Sequence, residues 1–446
     1  MKLAIKITST LCLLALLAAT VLATQSTPTY PLHAPIDLGG KTITIGARWE
    51  NEAPYLWSTQ TPPAPDSVHS RSFSLAYQHI AQVKQDFNIS IQYLELPEEA
   101  FLPTLKLAHL AGEPLVDMMY LSNLHALEAA HHGLLMPLDA IALAGSDLLG
   151  EGRYARTALE VFGHPQTFTT SQLSASGLSL GVNLDILEAI GGADPLQLYE
   201  SGNWDWDHFY VLMSLAARYG YDGITGVFQD LMMPLIASND GALTTEAFIF
   251  DVGQSSTVAA LEFFQHLAAS GLYRYHAQGD FDWWANYYAF EDGGSLFFPI
   301  HAFALTEGTG FDFMVLPWPV GPDNTSGNTW MGTPYAGLAF PAHAPHASEV
   351  LMVVEEIFSW PQGDMDMFND FRRSWLGSFL PTAGDVERKL GLSHTQAVDV
   401  GLIVPGYWGM MRNFGGHLVL GTYSIDEVIA QYRDYYQAML DQFFAR

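Results

Sequence analysis

Cysteine is almost absent from the sequence. Among 446 residues there is one, Cys12, within an apolar stretch near the N-terminus. Beyond that stretch the chain has no thiol, which excludes disulfide bonds, cysteine-based zinc sites and cysteine nucleophiles. Leu11 precedes Cys12, whereas lipid attachment requires a small residue there, so we find no lipobox and expect no lipid anchor.

Basic residues are scarce as well. The chain has 18 lysines and arginines against 47 aspartates and glutamates, which gives a formal charge of −29. DNA or RNA would be repelled, and so would an anionic membrane surface, so neither is expected as a partner. Charged residues make up only 15% of the chain. We interpret the acidic excess as a source of solubility.

Long apolar runs occur only once. Lys2 and Lys6 precede the mostly apolar stretch Ile7–Leu22, which a small-residue cleavage pattern follows. This arrangement predicts a secretory signal peptide over residues 1–23, a mature chain from Thr24, and a periplasmic or extracellular location. An uncleaved anchor stays open as an alternative, although the stretch is short for a membrane span. No later segment has 18 consecutive apolar residues, so we expect the mature chain to be soluble.

Several signatures of catalysis and metal binding are missing too. The sequence has no Gly-x-Ser-x-Gly elbow, no His-Glu-x-x-His, no Gly-x-x-x-x-Gly-Lys phosphate loop and no Asp-x-Asp-x-Asp-Gly calcium loop. Two close histidine pairs occur, His131 with His132 and His343 with His346. Neither pair supplies the three or four convergent ligands that a zinc site needs. We therefore expect no enzyme, no metal site and no cofactor.

One catalytic alternative stays open. A glycosidase needs two carboxyl groups at a fixed separation in space, which a sequence does not reveal. Among the 47 acids, Glu355 with Glu356 and Asp364 with Asp366 lie closest together in contexts that we interpret as solvated helix or turn positions. A secreted carbohydrate-active hydrolase is therefore the alternative to a binding protein.

Strand and helix patterns alternate along the chain. In the N-terminal part the strand patterns cover residues 41–46, 89–94 and 115–120, and the helix patterns cover 72–87 and 101–111. Further on, a strand pattern covers 178–183, and helix patterns cover 184–190, 206–219, 255–270, a stretch from Ser348, and 423–444. This alternation predicts α/β lobes with a largely parallel sheet, whose ligands bind beyond the carboxyl ends of the strands. A chain of this length is too long for one ordinary core, so we expect two lobes.

The stretch Trp204-Asp205-Trp206-Asp207 has two interpretations. Indole faces and carboxylates together could hold a sugar. The stretch also precedes a helix pattern, so Asp205 is well placed to cap the helix and Asp207 to add favourable charge to its first turn. We favour the capping interpretation, with Trp206 packed under the helix that it opens.

Four segments, in this order, resemble the extracellular solute-binding proteins of ABC importers, in the branch that binds maltodextrins and oligosaccharides. “LSLGVNLDILEAIGGADP” followed by “NWDWDHF” resembles a strand, short helix, turn and helix start of that family. “FEDGGSLFF” and “FMVLPWPVGPD” are similar to its Phe-x-x-Gly segment and its hinge strand. “YAGLAFPAHAPHASEVLMVVEEIFSW” resembles the strand and helix that come after the hinge. The chain departs from the family pattern at Val182, where tyrosine is usual, and at Gly294-Ser295, which replace Lys-Ala.

The resemblance implies a two-lobed periplasmic-binding-protein fold of type II, with a ligand cleft between lobes that a hinge joins. It implies an N-lobe of residues 24–167 and 324–372 and a C-lobe of residues 168–323 and 373–446. It also implies a monomer that closes on its ligand and then docks on the membrane permease subunits of the importer.

Candidate ligand-binding residues come from these two lines of argument. Trp49, Glu50, Tyr120 and Ser122 follow predicted strands, and the alternative for each is a packing or capping role. The resemblance adds His301, Phe303 and Trp330, near the segments that carry it. Aromatic side chains in loop-like contexts complete the set, because indole and phenol rings stack on sugar rings; these are Trp283, Trp284, Trp375, Tyr407 and Trp408.

The predicted function is capture of a sugar or oligosaccharide and its delivery to an ABC transporter permease. A sensor subunit that presents the ligand to a membrane receptor is a further alternative that the sequence leaves open.

Overall fold

The structure is a computed structural model. It describes residues 31–48, 70–143, 164–168, 178–244, 249–276, 283–300, 309–327, 336–377, 380–392, 407–421 and 423–444. Within these residues the strands are β1 (Lys41–Ala47), β2 (Ile89–Glu95), β3 (Met118–Ser122), β4 (Ser179–Asn183), β5 (Asp222–Thr225), β6 (Tyr273–Arg274), β7 (Ser295–Ile300), β8 (Phe313–Leu316) and β9 (Ala336–Ala339).

The helices of the described residues fall in two groups. The first seven are α1 (Ser70–Asp86), α2 (Phe101–Ala111), α3 (Asn123–His131), α4 (Leu138–Ile141), α5 (Leu184–Ile190), α6 (Pro195–Glu200) and α7 (Trp206–Arg218). The others are α8 (Phe228–Ala237), α9 (Ser255–Ala269), α10 (Trp283–Glu291), α11 (Ala347–Phe358), α12 (Met365–Gly377), α13 (Ala383–Leu392), α14 (Tyr407–Leu420) and α15 (Ile425–Phe444). None of the described helices is long and apolar enough to cross a membrane.

The first sheet, called the N-sheet below, has the strand order β2-β1-β3-β9. Strand β1 is parallel to both β2 and β3, and β9 runs antiparallel to β3. The alternation of β1 buries Ile43 and Ile45, and helix α1 buries Ala76, Ile80 and Val83 at helical spacing. These apolar faces form one core with α11, while α2 and α3 cover the other face of the sheet. The predicted, largely parallel sheet is confirmed.

The second sheet, the C-sheet, has the order β6-β5-β7-β4-β8. Strands β5, β6 and β7 are parallel to one another, and β4 is antiparallel to both β7 and β8. Helices α7, α8 and α9 pack on one face, and α10 and α13 pack on the other. The chain therefore contains two α/β layers, each with its own sheet.

Two segments of chain and one helix connect the layers. Phe168 pairs with Leu338 of β9, and the chain next enters β4 of the C-sheet. It returns after β8 and re-enters the N-sheet as β9. Helix α12 belongs to both layers, because Phe371 lies in the N-sheet core and Leu376 in the core beneath the C-sheet. The boundary expected between residues 372 and 373 thus falls inside a helix.

The stretch around Trp204 shows why its capping interpretation is correct. The Asp205 carboxylate accepts a hydrogen bond from the His208 backbone N–H at 3.0 Å and caps α7. Partial burial raises the pKa of Asp205, but the hydrogen bonds from the His208 backbone and ring outweigh it, so the pKa lies below its usual value. Both indoles are buried, and Trp206 stacks on Phe263 with ring centroids 4.5 Å apart. Neither ring is available as a sugar platform.

The same stretch also holds the returning connection in place. The Trp204 indole N–H donates to the carbonyl of Pro317 at 3.0 Å. The backbone N–H of Val320 donates to the Trp204 carbonyl at 3.0 Å, and the Trp206 N–H donates to the Val320 carbonyl at 3.2 Å. The start of α7 therefore anchors the segment by which the chain leaves the C-sheet.

Three sequence predictions need correction. The third strand begins at Met118, where pairing with β1 begins, rather than at residue 115. Strand β5 and helix α8 were not predicted, because β5 has four residues and α8 is buried all round and has no polar face. Glu355 and Glu356 were expected in solvent, yet they are 1% and 3% exposed.

The burial of these two glutamates follows from contacts with residues far away in sequence. The Glu355 carboxylate lies 2.7 Å from the His33 ring nitrogen Nε2. The backbone N–H of His33 donates to the Glu356 carboxylate at 3.1 Å. The pair therefore fastens the segment before β1 to helix α11, and its carboxylates have structural partners.

Candidate functional site

The connections between the layers show which ends of the two sheets meet. In the N-sheet, β3 ends at Ser122, and the antiparallel β9 begins opposite it at Ala336. In the C-sheet, β7 ends at Ile300, and the antiparallel β4 begins opposite it at Ser179. One connection arrives at Ser179 and the other arrives at Ala336. Both connections thus join the carboxyl edges of the parallel strands, and the space between these edges is the candidate ligand cleft.

At the carboxyl edge of the C-sheet a carboxylate meets an indole. Asp230 lies in the first turn of α8, five residues beyond β5, where the helix dipole favours negative charge. Its Oδ2 accepts a hydrogen bond from the Trp283 indole N–H at 3.2 Å. The Trp283 ring also stacks on Tyr287, with centroids 5.6 Å apart and an angle of 6° between the planes. Two fixed contacts therefore orient the Trp283 ring.

A second aromatic pair lies next to this carboxylate. The rings of Phe228 and Tyr275 stack with centroids 4.3 Å apart. The Tyr273 hydroxyl donates to the carbonyl of Gly226, at the end of β5, at 2.7 Å. Burial raises the pKa of Tyr273 well above its ordinary value, and the charges of Tyr275 and Asp230 raise it further. The edge thus combines aromatic rings, phenol groups and one carboxylate, which is the chemistry that binds sugars.

At the carboxyl edge of the N-sheet the polar groups have capping roles. Ser122 caps α3: its hydroxyl accepts a hydrogen bond from the His125 backbone N–H and lies 2.8 Å from the His125 ring nitrogen Nδ1. Tyr120 pairs with Leu338 in the adjacent strand and is buried in the N-sheet core. Ser122 lies at the edge that faces the cleft, whereas Tyr120 lies within the sheet. Their roles in ligand binding stay predictions.

The structure locates the other predicted residues unevenly. Trp283 and Trp284 open α10 and lie together, with ring centroids 4.9 Å apart. Five candidates lie outside the described residues: Trp49, Glu50, His301, Phe303 and Trp330. Three more belong to described helices, Trp375 in α12 and both Tyr407 and Trp408 at the start of α14, although their side chains lie outside the described part.

Sequence reasoning missed Asp230, Phe228 and Tyr275. The signal that could have found them is the short run Gly223-Ile224-Thr225, because residues that follow a strand are the ones that reach the cleft. The run is too short to show the alternation that identifies a strand by itself.

Histidines and acids form pairs rather than larger clusters in the described part of the chain. His109 stacks on His343 with centroids 4.9 Å apart, and His131 meets His132 edge to face. His346 lies 3.6 Å from the Glu349 carboxylate. Within the ranges that the structure describes, no group of three or more such side chains is placed to hold a metal ion.

Solved structures with the same architecture cover most of the chain. The cyclic α-maltosyl-1,6-maltose binding protein from Arthrobacter globiformis is 14% identical, with a TM-score of 0.64 over 91% of this chain and 100% of that one. The chain has the two-lobed binding-protein fold. The sugar-binding protein MalE from Xanthomonas citri shares this fold at 14% identity and a TM-score of 0.63, over 90% of this chain and 98% of that one.

A further match extends the two-lobed binding-protein fold to a more distant sequence. The ABC substrate-binding protein Lmo0181 from Listeria monocytogenes, solved with cycloalternan, is 11% identical, with a TM-score of 0.57 over 90% of this chain and 99% of that one. By their names these neighbours are binding proteins rather than enzymes. No protein-family model and no curated protein sequence matches the chain.

Proposed function

We propose that this chain is an extracytoplasmic solute-binding protein that captures a sugar or oligosaccharide between its two lobes and delivers it to the permease of an ABC importer. The observation that carries the proposal is the topology, in which two connections join the carboxyl edges of two α/β sheets. Such a cleft closes on a ligand by rotation of the lobes. The protein acts as a monomer in the periplasm or outside the cell, and it releases the ligand unchanged.

Two further observations support a carbohydrate ligand. The solved neighbours with this fold are named for cyclic maltosyl-maltose, cycloalternan and sugars in general. At the C-sheet edge, the oriented indole of Trp283 offers an apolar ring face, and Asp230 and Tyr275 offer polar groups for hydroxyls. The N-lobe comprises residues 24–167 and 324–372, and the C-lobe comprises 168–323 and 373–446. Helix α12 crosses the last boundary and acts as part of the hinge.

The experiment is a ligand screen by thermal shift with mono- and oligosaccharides, followed by calorimetry on the best ligand. We expect Asp230→Asn to weaken binding about 10- to 100-fold, because a hydrogen bond to a charged group contributes roughly 1.5–3 kcal/mol. Trp283→Phe keeps a ring and tests the indole N–H separately. Tyr219→Ala, which removes an exposed ring at the end of α7, is the control with unchanged affinity.

Three outcomes decide the proposal. A shift produced only by peptides or polyamines would remove the sugar assignment. Release of reducing ends from a polysaccharide panel would replace the binding protein by the hydrolase alternative. Full affinity in Asp230→Asn and Trp283→Phe would show that the ligand binds away from this edge.

A further inference from the structure

Helix α10 carries four aromatic side chains in two stacked pairs. Trp283 and Tyr287 form the inner pair, which is oriented by Asp230 and described above. Trp284 and Tyr288 form the outer pair, with centroids 5.9 Å apart and an angle of 27° between the rings. Trp284 and Tyr288 are each 49% exposed. Exposed, stacked aromatic rings on a helix surface are a feature that calls for a ligand or partner.

The outer pair borders a surface groove of about 520 Å³. One wall is the face of α10 that carries Ala285, Tyr288 and Ala289, whose small residues leave the space open. The other wall is formed by Asp222 and His276, and Asp292 lies at one end. The groove therefore has an aromatic side, a small apolar floor and a polar rim.

The groove walls are held rigidly. The buried Asn286 side chain accepts a hydrogen bond from the His276 backbone N–H at 3.0 Å and donates one to the His276 carbonyl at 3.1 Å. The Thr225 hydroxyl donates to the same Asn286 oxygen at 2.8 Å. The segment after β6 is thereby fixed to helix α10. A rigid groove costs little entropy to order when a ligand binds.

This groove is separate from the candidate cleft. Asp222 is the first residue of β5, whereas the cleft lies beyond Thr225 at the other end of that strand. Three residues of extended strand span about 10 Å. The groove thus opens on the outer side of the C-sheet, toward its amino edge.

The electrostatics of the groove favour a neutral, hydroxylated ligand. The Asp222 carboxylate lies 3.1 Å from the His276 ring nitrogen Nε2 and 4.0 Å from the Arg274 guanidinium. These neighbours compensate its charge, so the groove does not present the bare carboxylates of a cation site. Imidazole and carboxylate groups beside an aromatic face suit a sugar ring, whose C–H face stacks while its hydroxyls form hydrogen bonds.

We propose that the Trp284–Tyr288 pair and this groove form a second carbohydrate-binding site, outside the cleft, for pyranose units of a polysaccharide chain. The site would hold the protein on a polymer or on its cut ends near the cell surface. It shares only the ligand class with the proposed function, because it lies on a different surface.

The test is native gel electrophoresis in gels cast with soluble starch, pullulan, dextran, mixed-linkage β-glucan, neutral xylan or galactomannan. We expect at least one polymer to retard the wild-type protein. The double variant Trp284→Ala/Tyr288→Ala should lose the retardation, with a dissociation constant raised about tenfold or more. Tyr435→Ala, which removes a 60% exposed ring from α15, should migrate like the wild type.

Two parallel measurements keep the result unambiguous. Melting temperatures identify a variant that fails to fold, in which case Ala289→Leu, which narrows the groove and keeps both rings, replaces the double variant. Thermal shifts with small oligosaccharides report on the cleft and should be unchanged. If those shifts are absent in the wild type while retardation depends on the outer pair, the second site stands and the proposed transport function fails.

The inference is overturned by any of three results. Wild-type protein that no polymer retards has no such site. Equal retardation of the wild type and both groove variants places polymer binding elsewhere. Loss of the small-oligosaccharide shift in a folded double variant assigns the outer pair to the cleft.

Discussion

Lys389 in α13 is buried in the core beneath the C-sheet and gives a quantitative prediction. Its side chain is 1% exposed, and its ammonium group donates to the Ser179 hydroxyl at 2.7 Å. Burial lowers the pKa of Lys389 from 10.5 to about 7. The nearest carboxylate on the same helix, Asp385, is already engaged by the Val315 backbone N–H and by Arg388.

The sign of the effect follows from the two states of the amine. Above pH 7 the folded protein holds Lys389 neutral, whereas the unfolded chain keeps it protonated up to about pH 10.5. The unfolded state therefore binds more protons in this window, and stability rises with pH. One proton gives at most about 1.4 kcal/mol per pH unit. Between pH 7 and pH 9 the free energy of unfolding should rise by about 2 kcal/mol from this group alone.

Lys389→Met removes the titration while it keeps the length of the side chain. We expect the variant to be more stable than the wild type at pH 7 and to lose most of that advantage by pH 9. Urea unfolding at pH 7, 8 and 9 measures the difference, and Lys106→Met, which changes a half-exposed lysine, is the control. A constant difference between wild type and variant across the three pH values would refute the reasoning.

The other predictions concern single contacts. Asp205→Ala should cost roughly 1 kcal/mol of stability and leave ligand affinity unchanged; because the pKa of Asp205 is lowered, this contribution is present above about pH 4 and is lost as the pH falls further, which acid unfolding curves of the two proteins will show. Gly321→Ala should destabilise the chain by about 1–3 kcal/mol, since a Cβ there would lie 2.2 Å from Asn239 Oδ1. Gly310→Ala, with nothing within 4 Å of the new Cβ, should melt like the wild type. Glu355→Ala should cost about 2 kcal/mol in urea unfolding, because the segment before β1 loses its buried hydrogen-bond partner, and equal stability would show that this segment is held by other contacts.

Much of the architecture could be predicted because it is local. Helix α2 and helix α5 have the predicted bounds, Phe101–Ala111 and Leu184–Ile190, since their ends carry local signals: a left-handed glycine ends each helix, and Asn183 caps the start of α5. Asp205 caps α7 for the same reason. Short strand β5 was missed because four residues do not display a period.

The candidate site was predictable only in part. Trp283 was chosen as a loop aromatic, yet its partner Asp230 lies 53 positions earlier and was not considered. The two meet because β5 and β7 are neighbours in the C-sheet, which brings the residue after one strand beside the helix before the other. No pattern within either segment encodes that neighbourhood.

By itself the sequence determined the acidic, nearly cysteine-free character of the chain, the alternation of strands and helices, and the caps at their ends, since these depend on residues a few positions apart. The tertiary structure decided which side chains share a surface. It buried Glu355 against His33, it placed Trp204 and Trp206 in the core instead of a sugar site, and it left Trp284 on the outside. The physical reason is that periodicity reports only which face of an element is apolar, while strand order and connections determine what that face meets.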